Sequence, residues 1–351
     1  MSESMTILER LQTRGIRRSG SAPRGFRYRA VQGGAISAKT RERIAVLKIP
    51  PGWSDVVVSA DAGAAVQAAG RDRAGRWQYL YHAGHVQKRG KRKLERLVRF
   101  IEALPNLRRV MDHDLKATGL PRERVLACIV RVLSTCFLRP GSKVYATENG
   151  SFGIATLRRR HVDVRGTQVR FDFEGKSQQR QTREIRDARV AKVVRALIAI
   201  PGHEVFKFIG EDGQIVDVRR RHINAYIKEV MGDSFSAKDF RTWAGTLICA
   251  CVLARDATSD AAANGGTQGA TSARKRERRV RDAVKETARH LGNTPAVCRS
   301  SYIDGSILAH YQRGRMMNPY FDIVSDLASQ RSRRLERCEA ALLKLLRQKA
   351  A

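Results

Sequence analysis

Acidic residues are scarce in this chain of 351 residues: 34 Asp and Glu stand against 67 Lys and Arg, a formal charge of +33 at pH 7. The resulting pI of about 11.0 excludes few folds but favours a polyanionic partner, because a domain pI above about 9 is typical of nucleic-acid-binding proteins. Binding is then expected to weaken steeply with salt, as phosphate contacts release counterions. A ribosomal or chromatin-like basic protein is the simplest alternative, although 42% hydrophobic residues can form large cores.

Several kinds of site and segment are missing from the sequence. The six cysteines include no Cys-x-x-Cys pair, and His82 and His85 have no second ligand pair at a suitable spacing, so we expect buried thiols and no structural metal. No apolar run reaches the roughly 18 residues of a membrane span, and the N-terminus lacks the apolar core of a signal peptide. We therefore expect a cytoplasmic protein without membrane contact.

A nucleotide-binding loop is also absent. Gly175, Lys176 and Ser177 look like the end of a P-loop, but Arg170 occupies the position at which that loop requires glycine. We therefore expect no nucleotide and no other cofactor.

Composition and periodicity predict an α+β protein. Residues 1–23 are basic, with little apolar content beyond the first turns, and predict a flexible arm. Residues 24–90 contain short strand-like runs joined by glycine-containing turns, which predict a small antiparallel β-rich domain. Helical periodicity dominates residues 91–351 and predicts a larger, mainly α domain. Within it, the small polar residues 256–273 predict a mobile linker, although an ordinary surface insertion is an equally good interpretation.

The most informative residues lie in the last third of the chain. Arg241 ends the motif KDFR, Asn293 lies in LGNTP, and Tyr302 follows in RSSY. An arginine and a polar side chain ahead of a single tyrosine suit phosphoryl transfer to a phenol, because they supply donors for phosphate oxygens and a nucleophile for phosphorus. A solvated arginine and a core tyrosine are the simpler interpretations. Only the ordered combination favours an enzyme that cuts and rejoins DNA.

This combination resembles the active site of type IB DNA topoisomerases, in particular the small bacterial and poxvirus-like branch. The resemblance covers the motifs FLRPGS, FEGKS, KDFR, LGNTP and RSSY, and the blocks IPPGW, GRDRAGRWQYLYH, YATENGSFGIATLRRRHV and NTPAVCRSSYI occur in the order typical of that family. It extends from about residue 24 to residue 313. The combined match is specific, whereas each block alone would be weak.

The resemblance implies roles for particular residues. Tyr302 would attack the phosphodiester and form a 3'-phosphotyrosyl link. Arg139 and Arg241 would stabilise the charge that develops on the phosphate oxygens, and Lys176 would protonate the departing 5'-oxygen. Asn293 stands where many relatives carry histidine, so it could donate a hydrogen bond but could not act as a cation.

The resemblance also implies a C-shaped clamp around duplex DNA that acts as a monomer, without ATP or metal, in association with the nucleoid. Gln78, Tyr79 and Tyr81 match family positions that face the major groove of DNA. Lys143 and Tyr145, close to Arg139 in the sequence, are expected to contact backbone phosphate, and Lys238 of KDFR is a further expected DNA contact. Alternation along a strand would equally place Tyr79 and Tyr81 on a core-facing surface. Two alternatives remain, a tyrosine recombinase and a non-catalytic architectural DNA-binding protein. Lysine at position 238, where recombinases typically carry histidine, favours the topoisomerase.

Overall fold

The computed structural model describes residues 5–263, 273–318 and 333–348. The chain divides into two compact units, Met1–Arg92 and Lys93–Ala351. The division lies within two residues of the predicted boundary, but it falls inside a continuous helix, Ala83–Asp114, and not in a linker.

The N-terminal unit is built on a five-stranded antiparallel sheet in the order β2-β1-β3-β4-β5. Its elements are α1 (Ile7–Arg14), β1 (Ile16–Ser21), β2 (Gly25–Ala30), α2 (Ala38–Val46), β3 (Ser54–Val58), β4 (Val66–Arg71) and β5 (Trp77–Tyr81). Because side chains alternate along a strand, β3 contributes to both faces: Val56 and Val58 pack with Ile16 and Ile44, whereas Val57 packs in a second cluster with Leu11. The predicted antiparallel β domain is confirmed.

Residues 5–23 do not form the predicted flexible arm. Helix α1 begins with a capping box, in which the Glu9 amide donates to Thr6 Oγ1 (3.3 Å) and the Thr6 amide donates to Glu9 Oε2 (2.7 Å). Strand β1 then pairs with both β2 and β3, and Ile16 is only 3% exposed. The prediction is wrong here because the basic composition obscured the few apolar positions that anchor the segment in the core.

The second unit is mainly helical, as predicted. Helix α3 (Ala83–Asp114) leads into it, and the following elements are α4 (Arg122–Cys136), α5 (Lys143–Asn149), β6 (Val162–Arg165), β7 (Gln168–Glu174), β8 (Arg180–Arg186), α6 (Ala188–Ala199), β9 (Lys207–Ile209), β10 (Ile215–Asp217), α7 (Arg220–Met231), α8 (Ala237–Ala263), α9 (Ala273–Leu291), α10 (Pro295–Val297), α11 (Gly305–Gln312) and α12 (Arg333–Arg347). Strands β6, β7 and β8 form one antiparallel sheet, and β9 and β10 a second.

Helices α4 and α8 lie at the centre of this unit. Residues 125–133 of α4 are buried around the whole helix, as are residues 240–254 of α8, which is typical of a helix at the middle of a core. Phe100 of α3 packs edge-on against Phe240 (ring centroids 5.0 Å apart) and Phe235 (5.6 Å). These contacts fix the first turns of α8, which carry the KDFR motif.

The predicted mobile linker over residues 256–273 is wrong for its first part. Helix α8 continues to Ala263, because a run of alanines extends a helix readily. Residues 264–272 lie outside the described residues. Across the described ranges, no helix is long and apolar enough to cross a membrane, and no group of three or more His, Cys, Asp and Glu could hold a metal ion.

The structural role of β1 can be tested with Ile16→Ala. Because Ile16 is buried in the cluster that the sheet forms with Ile44 of α2, the change should lower the free energy of unfolding by about 2–5 kcal/mol. Arg17→Ala, at the exposed neighbouring position, is the control and should have little effect. Urea unfolding followed by tryptophan fluorescence measures both. Equal stability of the two variants would show that the segment is not part of the core.

Candidate active site

Arg139 lies on a loop that is held by close backbone packing. The Ile154 amide donates to the Arg139 carbonyl (2.9 Å), and Gly153 packs against Gly141. A Cβ on Gly153 would lie 2.5 Å from Gly141 Cα and 2.6 Å from the Arg139 carbonyl oxygen. Only glycine fits there, which explains why the FLRPGS and SFGIAT motifs meet and how Arg139 is fixed.

Arg241 lies in the first turns of α8 and is only 3% exposed. Its guanidinium donates to the carbonyls of Phe137, just past the end of α4, and Leu291, at the end of α9 (2.7 Å). Burial, together with the charge of Arg139, lowers the pKa of Arg241 to about 10. The side chain is therefore still a cation at pH 7. Arg241 Nε has no hydrogen-bond partner among the described residues.

Three arginines donate hydrogen bonds to carbonyls at the C-terminal end of α9. The carbonyls of residues 290–292 accept hydrogen bonds from three guanidinium groups: His290 from Arg183 (2.9 Å), Leu291 from Arg241 (2.7 Å) and Gly292 from Arg139 (3.1 Å). Carbonyls at a helix C-terminus lack intrahelical partners and carry partial negative charge. They therefore offset the mutual repulsion of the arginines.

Asn293 follows directly and belongs to the same cluster. The side-chain Oδ1 of Asn293 accepts a hydrogen bond from Arg139, and its backbone N–H donates to the Ala288 carbonyl (2.9 Å). Its Nδ2 is buried and has no partner in the part of the chain that the structure describes. Together with Arg241 Nε, it is a donor that an oxyanion or a water molecule could satisfy.

Tyr302 ends a turn of π-helix over residues 298–302, and Arg241 lies over its ring, with Cζ 4.8 Å from the ring centroid. Burial of the phenol raises its pKa, but the charges of Arg241, Arg139 and Lys238 outweigh burial, and the net shift of the Tyr302 pKa is downward. This arrangement favours the phenolate and places it beside the cations that a phosphate would need.

The backbone around Tyr302 is held by α8 and α3. A Cβ on Gly245 would lie 2.8 Å from the Tyr302 carbonyl oxygen, so α8 can approach this closely only through glycine. Thr246 Oγ1 donates to the same carbonyl (3.2 Å), and Lys93 Nζ donates to the carbonyl of Ile303 (2.9 Å). Helix α8 thus carries Arg241 and also contacts the backbone of Tyr302.

Lys176 occupies a different environment. It is exposed on the turn between β7 and β8, which is closed by a hydrogen bond from the Gly175 amide to the Gln179 carbonyl (2.9 Å). Ser177 and Gln178 have φ values of 61° and 57°, unusual for residues other than glycine. No hydrogen bond or ion pair of Lys176 is found within the described ranges. The structure therefore brings Arg139, Arg241, Asn293 and Tyr302 together but does not join Lys176 to them.

The predicted DNA contacts in the N-terminal unit lie on β5. Tyr79 and Tyr81 point to the same face, with ring centroids 6.5 Å apart and exposed fractions of 36% and 38%. Gln78 Nε2 donates to Asp72 Oδ2 (2.9 Å). Because the two tyrosines are exposed, the alternative of a core-facing aromatic pair does not hold.

The remaining predicted contacts are on the second unit. On α5, Tyr145 is 63% exposed, whereas Lys143 donates to Asp217 Oδ2 (2.9 Å). Lys238 is exposed near the start of α8. Neighbouring Asp239 accepts hydrogen bonds from Arg96 at 2.6 and 2.5 Å, which anchors this part of α8 to α3.

Sequence reasoning missed several residues that build the site. Gly245 had a usable signal, because glycine inside an apolar helix is unfavourable and suggests a close approach. Arg183, Thr246 and Lys93 had none, since they lie outside the recognised motifs and resemble many other polar residues of the chain.

The chain is similar to known proteins along most of its length. The family model for the catalytic core of eukaryotic DNA topoisomerase I matches residues 83–316, and that for the N-terminal domain of bacterial DNA topoisomerase IB matches residues 25–72. DNA topoisomerase 1B of Acanthamoeba polyphaga mimivirus is 33% identical over 323 residues, covering 91% of this chain and 93% of that protein. DNA topoisomerase 1B of Vaccinia virus (strain Copenhagen) is 28% identical over 134 residues, covering 37% and 43%.

The electrostatic coupling at Tyr302 can be tested with Lys238→Gln. Removing a cation that stabilises the phenolate should raise the pKa of Tyr302, and exposed Lys238 can be changed without disturbing the core. Titration by NMR of protein labelled at tyrosine Cζ measures the shift. Lys192→Gln, at an exposed position on α6, is the control and should leave the pKa unchanged. A wild-type pKa at or above the ordinary value of about 10 would contradict the analysis.

Proposed function

We propose, since this chain belongs to the family of type IB DNA topoisomerases, that it relaxes supercoiled duplex DNA through a transient bond between Tyr302 and a 3'-phosphate. The observation that carries the proposal is the position of the Arg241 guanidinium, 4.8 Å from the centre of the Tyr302 ring. Arg139 and Asn293 adjoin it through the end of α9. A nucleophile and its charge-stabilising donors thus occupy one site.

Cleavage would exchange one phosphoester bond for another. The Tyr302 oxygen attacks phosphorus and loses its proton, the bond from phosphorus to the 5'-oxygen breaks, and that oxygen takes up a proton. Negative charge grows on the nonbridging oxygens during attack. The unpaired donors, Arg241 Nε and Asn293 Nδ2, are available to these oxygens, and preorganised donors of this kind contribute about 2.7–4 kcal/mol each to transition-state stabilisation.

Lys176 is the proposed general acid. A 5'-alkoxide is a poor leaving group unless it is protonated, and an ammonium on an exposed turn can approach bound DNA without rearrangement of the core. The absence of a contact with Tyr302 does not argue against this role, because catalytic contacts are often formed only when substrate is bound.

Relaxation would follow from the covalent intermediate. Tyr302 holds the 3' end while the free 5' end rotates, and reversal of the chemistry reseals the strand. Because the phosphotyrosyl bond retains the energy of the original phosphoester, no step requires ATP. The guanidinium groups supply the charge stabilisation that a divalent metal supplies in other phosphoryl-transfer enzymes.

The protein is proposed to bind duplex DNA as a monomer in the cytoplasm, in association with the nucleoid. The surplus of Lys and Arg over Asp and Glu supports contact with phosphate along the duplex. Exposed Tyr79, Tyr81 and Tyr145 are proposed DNA contacts, as are Gln78, Lys143 and Lys238.

Tyr302→Phe tests the nucleophile. The variant should bind supercoiled plasmid but leave it supercoiled, and denaturant should trap no covalent protein–DNA adduct, because the attacking oxygen is missing. Tyr311→Phe, at a buried tyrosine nearby, is the matched control and should retain both activities. Full relaxation by Tyr302→Phe would remove this residue from the mechanism. Relaxation by monomeric wild-type protein would also exclude the oligomeric synapse that a tyrosine recombinase requires.

Lys176→Ala tests the general acid. Loss of the proton donor should slow cleavage about 10²–10⁴-fold on an ordinary strand. A strand with sulfur in place of the 5'-bridging oxygen has a leaving group that needs no proton, so the variant should cleave it at close to the wild-type rate. Tyr302→Phe should gain nothing from sulfur. Equal defects of Lys176→Ala on both strands would argue against proton donation by this lysine.

A further inference from the structure

Arg183 is an arginine of the cluster that belongs to none of the recognised active-site motifs. It lies on β8, half-buried, and burial lowers the pKa of its guanidinium. Its Nη2 donates to the His290 carbonyl (2.9 Å) and to Gln181 Oε1 (3.2 Å), and its Nη1 donates to the Thr182 carbonyl (2.8 Å). Both terminal nitrogens are therefore engaged within the protein, which suits support of other groups better than direct binding of phosphate.

The turn at residues 290–293 rests directly on β8. Gln181 is 6% exposed, and a Cβ on Gly292 would lie 2.4 Å from its Oε1. Gly292 also has a φ of +59°, a conformation that favours glycine. Arg183 holds one side of this turn through the His290 carbonyl, and Gln181 forms the wall against which Gly292 packs.

The turn carries groups on which the proposed chemistry depends. Its Gly292 carbonyl accepts from Arg139, and the Asn293 side chain accepts from Arg139 while its Nδ2 remains unpaired. A shift of the turn would therefore move Asn293 and Arg139 together. A displacement of about 1 Å in a catalytic group can cost on the order of 10²-fold in rate.

We infer that Arg183 is a positioning residue, which holds the turn at 290–293 against β8 and thereby orients Asn293 and Arg139 for attack on the phosphodiester. The inference rests on the proposed function. It adds a guanidinium that acts through other residues and does not touch the substrate.

The test compares Arg183→Met with Arg186→Met in the full-length protein. Each removes one positive charge from β8, but Arg186 is exposed and lies outside the cluster. Single-turnover cleavage at saturating DNA should be on the order of 10²-fold slower for Arg183→Met, whereas the two variants should bind DNA equally. A cleavage rate of Arg183→Met equal to that of Arg186→Met, or a defect that appears only as weaker DNA binding, would overturn the inference.

A double-mutant cycle with Asn293→Ala separates positioning from general destabilisation. If Arg183 acts through the turn, Arg183→Met should cause much less additional loss of rate once the Asn293 side chain is gone, because the two residues act as a unit. If the loss of cleavage rate in the double variant equals the product of the losses in the two single variants, the inference is wrong. Rescue of Arg183→Met by 5'-bridging sulfur would also overturn it, since that result would assign the effect to Lys176 on the same hairpin.

Arg183→Lys keeps the charge and one donor for the His290 carbonyl, so it should recover part of the cleavage rate that Arg183→Met loses; no recovery would count against positioning. If Arg183→Met does not fold, as judged by thermal unfolding, the lysine variant takes its place in the cycle.

Tyr302→Phe distinguishes failure of the proposed mechanism from failure of the proposed role of Arg183. Cleavage by that variant would refute the mechanism itself, whereas its inactivity combined with multiplicative losses would refute only the role of Arg183.

Discussion

The site depends on a set of hydrogen bonds between the last carbonyls of α9 and three arginines, Arg139, Arg183 and Arg241. Like charges repel when they are collected in a half-buried space, and before DNA binds there is no phosphate to neutralise them. The helix C-terminus offers oxygens with partial negative charge at the required place. Each hydrogen bond to a charged group contributes about 1.5–3 kcal/mol. Because the pKa of Arg241 remains about 10, the cluster stays cationic at neutral pH.

This arrangement does not give every buried donor of the site a partner within the described residues. Arg241 Nε and Asn293 Nδ2 are buried without partners among the described residues, and each unsatisfied donor costs about 1–3 kcal/mol. Such a cost can persist only where the surrounding structure is strong enough to impose it. The buried segments 125–133 of α4 and 240–254 of α8, together with the glycine contact at Gly153, supply that support. The donors are therefore oriented before the substrate arrives, which is the condition under which they stabilise a transition state most effectively.

Much of the fold and most of the central site residues can be predicted from the sequence. The parts that cannot be predicted are those for which the local sequence carries no signal. Arg241, Asn293 and Tyr302 lie in short motifs whose order is informative, and the structure brings them together. Residues 5–23 are not a flexible arm, because composition reports local polarity and cannot show that Leu11 and Ile16 are buried by distant parts of the chain. Residues 256–263 are helical because their alanines extend α8. Arg183 could not be distinguished at all, since its role arises from its distance to one carbonyl and not from any local pattern.

The proposed nucleophile and the proposed acid are held in opposite ways. Helix α8 carries Arg241 and also fixes the backbone of Tyr302 through Gly245 and Thr246, so the tyrosine and its cation cannot shift independently. Lys176 instead lies on an exposed turn without a contact to either within the described ranges. In the proposed mechanism, attack on phosphorus is therefore prepared in the free protein, whereas protonation of the leaving oxygen requires bound DNA to bring lysine and phosphate together. Cleavage in this mechanism therefore requires DNA that is bound in the correct position. Tyr302 and Arg241 alone cannot complete the reaction, because the leaving oxygen must also receive a proton from Lys176.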